Sequence, residues 1–287
     1  MRSVLTVPVI VERFIEKAPS SGADVICLDV EDSIPPAEKV VARLRAAEAI
    51  EALRGNVRSL FVRVNGPDTG LMDDDLTGVV RQGLDGVVVS MTNSASEIHR
   101  VDQRLSMLER DESILEGTIS IVPLVETARG VVNCMQICEA SARVTAAIFG
   151  AEDYATDMGI ARTPAGDEIT WARTQVAVHC RAAGVTAIDT PDPDYTDESH
   201  LEREMLGARA LGYRGKLCIH PTQVAMANRI FAPSPEEIDE AKSVVELFER
   251  EGLAKGLAAI PADGRMIDTP IYWRAKNLLE WAEASEA

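Results

Sequence analysis

Residues 23–67 read ADVICLDVEDSIPPAEKVVARLRAAEAIEALRGNVRSLFVRVNGP. The run VICLDV (25–30) is apolar until it closes on acids, the pattern of a parallel strand buried on both faces. From Ala37 to Leu53 the apolar residues return at helical spacing, and Ser59–Val64 is again a β-branched, strand-like run. The same alternation extends in both directions. Strands are expected at Ser3–Val7, Asp24–Val30, Ser59–Val64, Gly86–Ser90, Ile119–Val125, Val144–Phe149, Thr186–Thr190 and Lys216–Ile219. Helical spacing recurs between them, as at Ser94–Leu108 and Glu168–Ala183. Eight strands, each followed by a helix, predict an α/β protein of the (β/α)8 TIM-barrel type. A doubly wound open sheet is the alternative, but no G-x-G-x-x-G follows the first strand.

The pattern breaks after about residue 231. Ser234, before Pro235 and three residues ahead of Glu237, is a strong helix start. A strand-like piece at Leu257–Ile260, a turn at Ala262–Gly264 and a last helix from about Pro270 to Ala284 complete the chain. The expected organisation is a catalytic barrel over 1–231 and a C-terminal helical lid extension over 232–287.

The 287 residues carry 29 Lys+Arg against 46 Asp+Glu, a net charge of −17. Such a chain has no basic field for a phosphate backbone or an anionic bilayer, so neither nucleic acid nor membrane is an expected partner. No apolar stretch approaches a membrane span, and the N-terminus carries no signal-peptide cleavage pattern. The 5 cysteines, at 27, 134, 138, 180 and 218, read as buried reduced thiols, and a cytoplasmic location is expected. Cys134 and Cys138 share a helix face, but two ligands do not make a metal site, so core packing is the expectation there.

In a (β/α)8 barrel, polar residues at the C-terminal ends of strands face the site. That set is Asp29, Glu31 and Asp32; Arg63 and Asn65; Glu126, Thr127 and Arg129; Glu152 and Asp153; and His220. Converging buried carboxylates need protons or a cation. Carboxylates without clustered His or Cys favour a hard divalent ion, Mg2+ or Mn2+, and Glu126 and Asp153 on neighbouring strands suit it. Arg63, inside an apolar strand, either clamps a substrate carboxylate or pairs with Glu126 or Asp29. Asp29 and Glu31 share a strand face and point to the same pole, and Glu31 joins Arg63 among the candidate catalytic groups. His220 reads as a packed, hydrogen-bonded histidine.

The strings VICLDVEDSIPPAEKVVAR, FVRVNGP, IVPLVETARGVVN, FGAEDYATDMGI, GKLCIHPTQV, PSPEEIDEAK and DGRMIDTP, in this order, resemble the HpcH/HpaI aldolase/citrate lyase family, specifically citrate lyase beta subunits and malyl-CoA or citramalyl-CoA lyases. The resemblance runs from Ser3 to about Ala282. It implies Mg2+ on Glu126 and Asp153, Arg63 at the oxo-acid end of the substrate, and a lid that reaches a neighbouring subunit with Asp268 as acid/base. It further implies a homotrimer or hexamer and retro-Claisen cleavage of a 3-hydroxyacyl-CoA to an oxo acid and an acyl-CoA. Asp268 has an alternative reading as the N-cap of the final helix.

Two stretches depart from the family pattern. VPVIVERF stands where relatives carry a glycine- and arginine-containing turn for the CoA phosphates, which leaves Arg13 and Lys17 as the nearby cations. Met91 and Asn93 stand where relatives often have Lys and Glu. An oxo-acid aldolase without CoA, a thioesterase-like variant and a non-catalytic barrel subunit are the alternatives these changes leave open.

Overall fold

The computed structural model describes residues 1–262 and 264–286. It divides into two compact units, 1–231 and 232 onward. In the first, eight parallel strands close into a barrel in sequence order. They are β1 (Ser3–Pro8), β2 (Val25–Asp29), β3 (Leu60–Val64), β4 (Gly86–Val89), β5 (Ser120–Val125), β6 (Ala146–Phe149), β7 (Thr186–Asp189) and β8 (Gly215–Cys218). The helices between and after them are α1 (Glu12–Lys17), α2 (Lys39–Leu53), α3 (Met72–Val79), α4 (Ala95–Asp111), α5 (Ala128–Glu139), α6 (Ala151–Met158), α7 (Thr170–Ala183), α8 (Glu198–Leu211) and α9 (Pro221–Ile230). The expected (β/α)8 fold is the observed one, with strand boundaries within two residues of those read from the sequence.

Side chains alternate between the barrel lumen and the helical layer. Val4, Val25, Cys27, Phe61, Val88, Val122, Leu124, Ala146, Ile148, Ile188 and Leu217 fill the lumen. The residues between them, such as Leu5, Ile26, Leu28, Leu60, Val62, Val87 and Ile121, pack outward against α2 to α9 in the larger core. Both strand faces are therefore dry, which is why the strands read as unbroken apolar runs. Where the lumen layers run out, the next inward residues are polar.

In the unit from Ala232 onward, α10 (Pro235–Glu251) starts with the expected capping box. Ser234 Oγ accepts from the Glu237 N–H at 3.2 Å, and the Glu237 carboxylate accepts from the Ser234 N–H at 2.7 Å. A hairpin follows, β9 (Ala259–Ala262) antiparallel to β10 (Arg265–Asp268), and then α11 (Thr269–Glu286). The sequence reading expected one strand-like piece here; the second, RMID, has two exposed residues in four and no apolar run to betray it. Asp263, within the expected turn, lies outside the described residues. Phe248, Ile260, Ile267 and Tyr272 give this unit its own small core. Among the described residues no helix is long and apolar enough to cross a membrane.

Candidate active site

On β2, Val25 and Cys27 point into the lumen, so the two-residue period also turns Asp29 inward, at the strand's last position. Arg63 on β3 is in register with Asp29 and follows Phe61 by the same parity. The pair is bidentate: Arg63 Nε donates to Asp29 Oδ1 at 2.8 Å and Nη2 to Oδ2 at 2.7 Å. Asp29 also accepts from the N–H groups of Glu31 and Ser33. Burial pushes the Asp29 carboxyl up, but these bonds, Arg63 foremost, outweigh it and hold it below the usual carboxylate range. The Arg63 fork is therefore engaged by Asp29. Its third nitrogen, Nη1, faces Glu31 Oε2 at 3.3 Å and Asp32 Oδ2 at 3.6 Å.

Glu126 directly follows β5 and is 3% exposed. Three local features place its carboxylate. Met91 adopts a left-handed backbone, φ 52°, uncommon for a residue other than glycine, and in doing so aims its N–H at Glu126 Oε1, 2.6 Å away. Gly150 closes β6, and a β-carbon there would lie 2.6 Å from both Glu126 Cβ and Oε2. Its φ of −106° is open to any residue, so the glycine is required by the neighbouring glutamate and not by the turn. Thr127, next in sequence, caps α5 by accepting from the Gly130 N–H at 2.9 Å and donates a short hydrogen bond to Asn93 Oδ1. Asn93 thus braces the loop that carries Met91.

Asp153, in the first turn of α6, lies near enough to Glu126 for the two carboxyls to act on each other. Burial, then the charges of Asp153 and Glu31, push the Glu126 carboxyl well above its usual range, against the bond from Met91. Desolvation and the Asp32 charge raise Asp153 as well, although solvent reaches its outer side. Glu31 is pushed up to about 7 by burial, with the Asp32 and Asp29 charges adding to it against Arg63. Its Oε2 is buried without a hydrogen bond. Asp29, Glu31, Asp32, Glu126 and Asp153 thus gather at one end of the barrel, where Arg63 is the cation set against them.

This donor set fits a hard divalent cation. All its free atoms are carboxylate oxygens, and the carboxyls that face one another are the ones whose ionisation is suppressed. Glu126 and Asp153 would hold the ion.

Several other residues fall elsewhere. Glu152 pairs with Arg162 at 3.0 Å on the rim, and Arg129 is exposed on α5. His220 caps α9 and stacks on Tyr195, ring centres 4.4 Å apart. On α1, Lys17 borders a cavity of about 320 Å³ together with Thr6, Pro8, Phe14, His220 and Pro221, whereas Arg13 lies over the Phe14 ring, 5.0 Å from its centre. In the C-terminal unit, Asp268 Oδ1 accepts from the Ile271 N–H at 3.1 Å and so caps α11. A cavity of about 580 Å³ lies within that unit between α10, α11 and the hairpin; it gathers no set of facing carboxylates. Sequence reasoning missed the Met91 N–H and Gly150. A non-glycine left-handed residue has no sequence signature, but the glycine of FGAED did stand in plain view.

Comparison with known proteins agrees with this geometry. The chain is 34% identical over 284 residues to the citrate lyase subunit beta of Leuconostoc mesenteroides subsp. cremoris, covering 99% of this chain and 94% of that one. It is 31% identical over 292 residues to the L-malyl-CoA/beta-methylmalyl-CoA lyase of Cereibacter sphaeroides, covering 95% and 91%. Among solved structures, the protein CitE from Mycobacterium tuberculosis in complex with magnesium, acetoacetate and coenzyme A superposes with a TM-score of 0.77 at 26% identity, over 99% of this chain and 100% of that one. The profile of HpcH/HpaI aldolase/citrate lyase matches residues 2–221. The chain belongs to the HpcH/HpaI aldolase/citrate lyase family.

Proposed function

We propose that the chain is a Mg2+-dependent carbon–carbon lyase that cleaves or forms a 3-hydroxyacyl-CoA of the malyl-, citramalyl- or citryl-CoA type, giving an oxo acid and an acyl-CoA. The observation that carries this reading is the facing pair Glu126 and Asp153, held beside Arg63 where neither carboxyl ionises easily alone. Bound there, Mg2+, or Mn2+ in its place, would supply Lewis-acid polarisation of a substrate oxygen. Arg63, locked by Asp29, offers its Nη1 edge at a fixed position to the oxygen on which charge develops. Fixing the guanidinium beforehand removes the cost of ordering it during the reaction. Glu31, pushed up to about 7, can hold or release a proton near neutral pH at that same edge.

The thioester end is assigned to the cavity beside α1, where Lys17 supplies positive charge and Phe14 an apolar wall, with Arg13 on the same short helix. Asp268 is assigned as the acid/base for the acyl α-carbon, delivered by residues 232–287 to a neighbouring subunit's site in a homotrimer or hexamer. Its Oδ1 caps α11, and Oδ2 is the oxygen left for proton transfer. A cytoplasmic location suits 5 buried free thiols.

The test is a panel of malyl-, citramalyl- and citryl-CoA with purified protein, with Mg2+ and with excess chelator. Release of glyoxylate, pyruvate or oxaloacetate that stops with chelator is expected. Oxo-acid release that ignores chelator, or free CoA released without any oxo acid, contradicts the reading.

A further inference from the structure

The glycine that makes room for Glu126 leaves the next helix without a cap of its own. Gly150 is the N-cap residue of α6 and has no side-chain oxygen to accept from the first-turn N–H groups. A serine or aspartate cannot replace it, because the β-carbon would lie 2.6 Å from Glu126 Cβ. The turn left uncapped is the one that carries Asp153. Its first N–H belongs to Ala151, which is 0% exposed, so bulk water cannot take that bond.

The acceptor comes from the neighbouring strand. Thr190 directly follows β7, and its Oγ1 accepts from the Ala151 N–H at 2.9 Å. Ile188 points into the lumen, so the two-residue period turns Thr190 to the same side. Ile148 pairs with Ile188, and the same register two residues on sets Thr190 beside Gly150. Thr190 is buried and is itself tied down. Its carbonyl accepts from Lys216 Nζ at 2.7 Å, and that buried ammonium also donates to Asp189 Oδ2 at 3.0 Å. Asp189 in turn accepts from the Arg173 fork, Nε to Oδ1 and Nη2 to Oδ2, at 2.8 Å each.

We propose that Thr190 is a positioning residue for Asp153: it caps α6 from outside the helix and so sets the Asp153 carboxyl opposite Glu126. This role rests on the proposed reading of Glu126 and Asp153 as the ion's ligands. Glu126 is fixed by the Met91 N–H and by the space at Gly150, whereas Asp153 is placed by where α6 starts. A helix start without its cap frays, and Asp153 is the third residue of that start. Ion pairs as buried as Lys216 with Asp189 often stabilise no better than apolar packing. What Lys216 adds here is a fixed carbonyl, and with it a fixed hydroxyl, at Thr190.

The test compares Mn2+ affinity, by electron paramagnetic resonance, with urea unfolding in chelator for the unaltered chain, Thr190→Val and Thr190→Ser. Valine keeps the shape and removes the acceptor; serine keeps the acceptor. Thr190→Val should bind Mn2+ about tenfold more weakly or worse, and Thr190→Ser should stay within about twofold of the parent. A role in stability alone would lower the urea midpoint of Thr190→Val and leave its Mn2+ affinity at the parent value; that result overturns the proposal. Equal losses of affinity in the valine and serine variants overturn it too. If Thr190→Val does not fold, Thr190→Ala, which overpacks nothing, is measured with the same expectation. An unaltered chain that binds no Mn2+, or binds it no better than Glu126→Gln does, removes the metal reading and the role of Thr190 with it. Tight binding that Glu126→Gln loses and Thr190→Val keeps removes the role of Thr190 alone.

Discussion

Replacing Gly150 with alanine tests how the site is built. The new β-carbon would sit 2.6 Å from Glu126 Cβ and from Glu126 Oε2. Ordinary carbon contacts begin near 3.5 Å, so the intrusion is roughly 1 Å at two atoms at once. Glu126 Cβ is fixed by the backbone after β5, and the barrel wall is too densely packed to yield. The carboxylate must therefore swing away, losing the 2.6 Å bond from the Met91 N–H and its place beside Asp153. The overpacking should cost about 1–3 kcal/mol of stability. Divalent-ion affinity should fall far more steeply, by about tenfold to a hundredfold, because one of the two proposed protein ligands is displaced. Urea unfolding and Mn2+ titration by electron paramagnetic resonance measure the two separately. A Gly150→Ala protein that unfolds as the parent does and binds Mn2+ equally well would refute the steric argument.

Metal-free stability should depend on pH through the raised carboxyls. Glu31, Glu126 and Asp153 bind protons more tightly folded than unfolded, so the stability they contribute is full below the ordinary carboxylate range and is lost as pH rises through about 7 for Glu31. Melting with chelator should therefore fall between pH 5 and 8, less so in Glu31→Gln, and saturating Mg2+ should cancel the fall; a flat metal-free profile contradicts this. Asp29→Ala should cost about 3–5 kcal/mol, because it removes the bidentate partner of the largely buried Arg63 and leaves only its longer contacts to Glu31 and Asp32; a loss under 1 kcal/mol in urea unfolding would show that those two carboxylates suffice. Asp268→Asn keeps an oxygen for the α11 cap but cannot carry the proton, so turnover should fall at least about a hundredfold with the melting temperature unchanged. Unaltered turnover in Asp268→Asn reduces the residue to a cap.

The barrel was legible because its strands are buried on both sides. Runs such as VICLDV and AAIF cannot be surface strands, and eight of them alternating with helical spacing admit few arrangements. The acids were legible for the same reason, since the parity that places Cys27 and Leu124 in the lumen carries Asp29 and Glu126 to its mouth. What could not be read was pairing across the barrel. Arg63 had two open partners in the sequence, and the register of β2 with β3 selects Asp29. The left-handed Met91 depends on where Glu126 needs a donor, and Cys180 joins Cys134 and Cys138 through helix packing that no spacing encodes. The β10 strand was missed because a two-stranded hairpin with exposed residues is held by its backbone bonds more than by a pattern of side chains.

The most direct measurement is Mn2+ binding by the unaltered chain and by Glu126→Gln, alongside thioester cleavage by both. One tight ion per chain, displaced by Mg2+ and lost together with oxo-acid release in Glu126→Gln while folding is unchanged, is the predicted result. Equal Mn2+ affinity in the two proteins, or cleavage that survives the loss of the ion, would contradict the account.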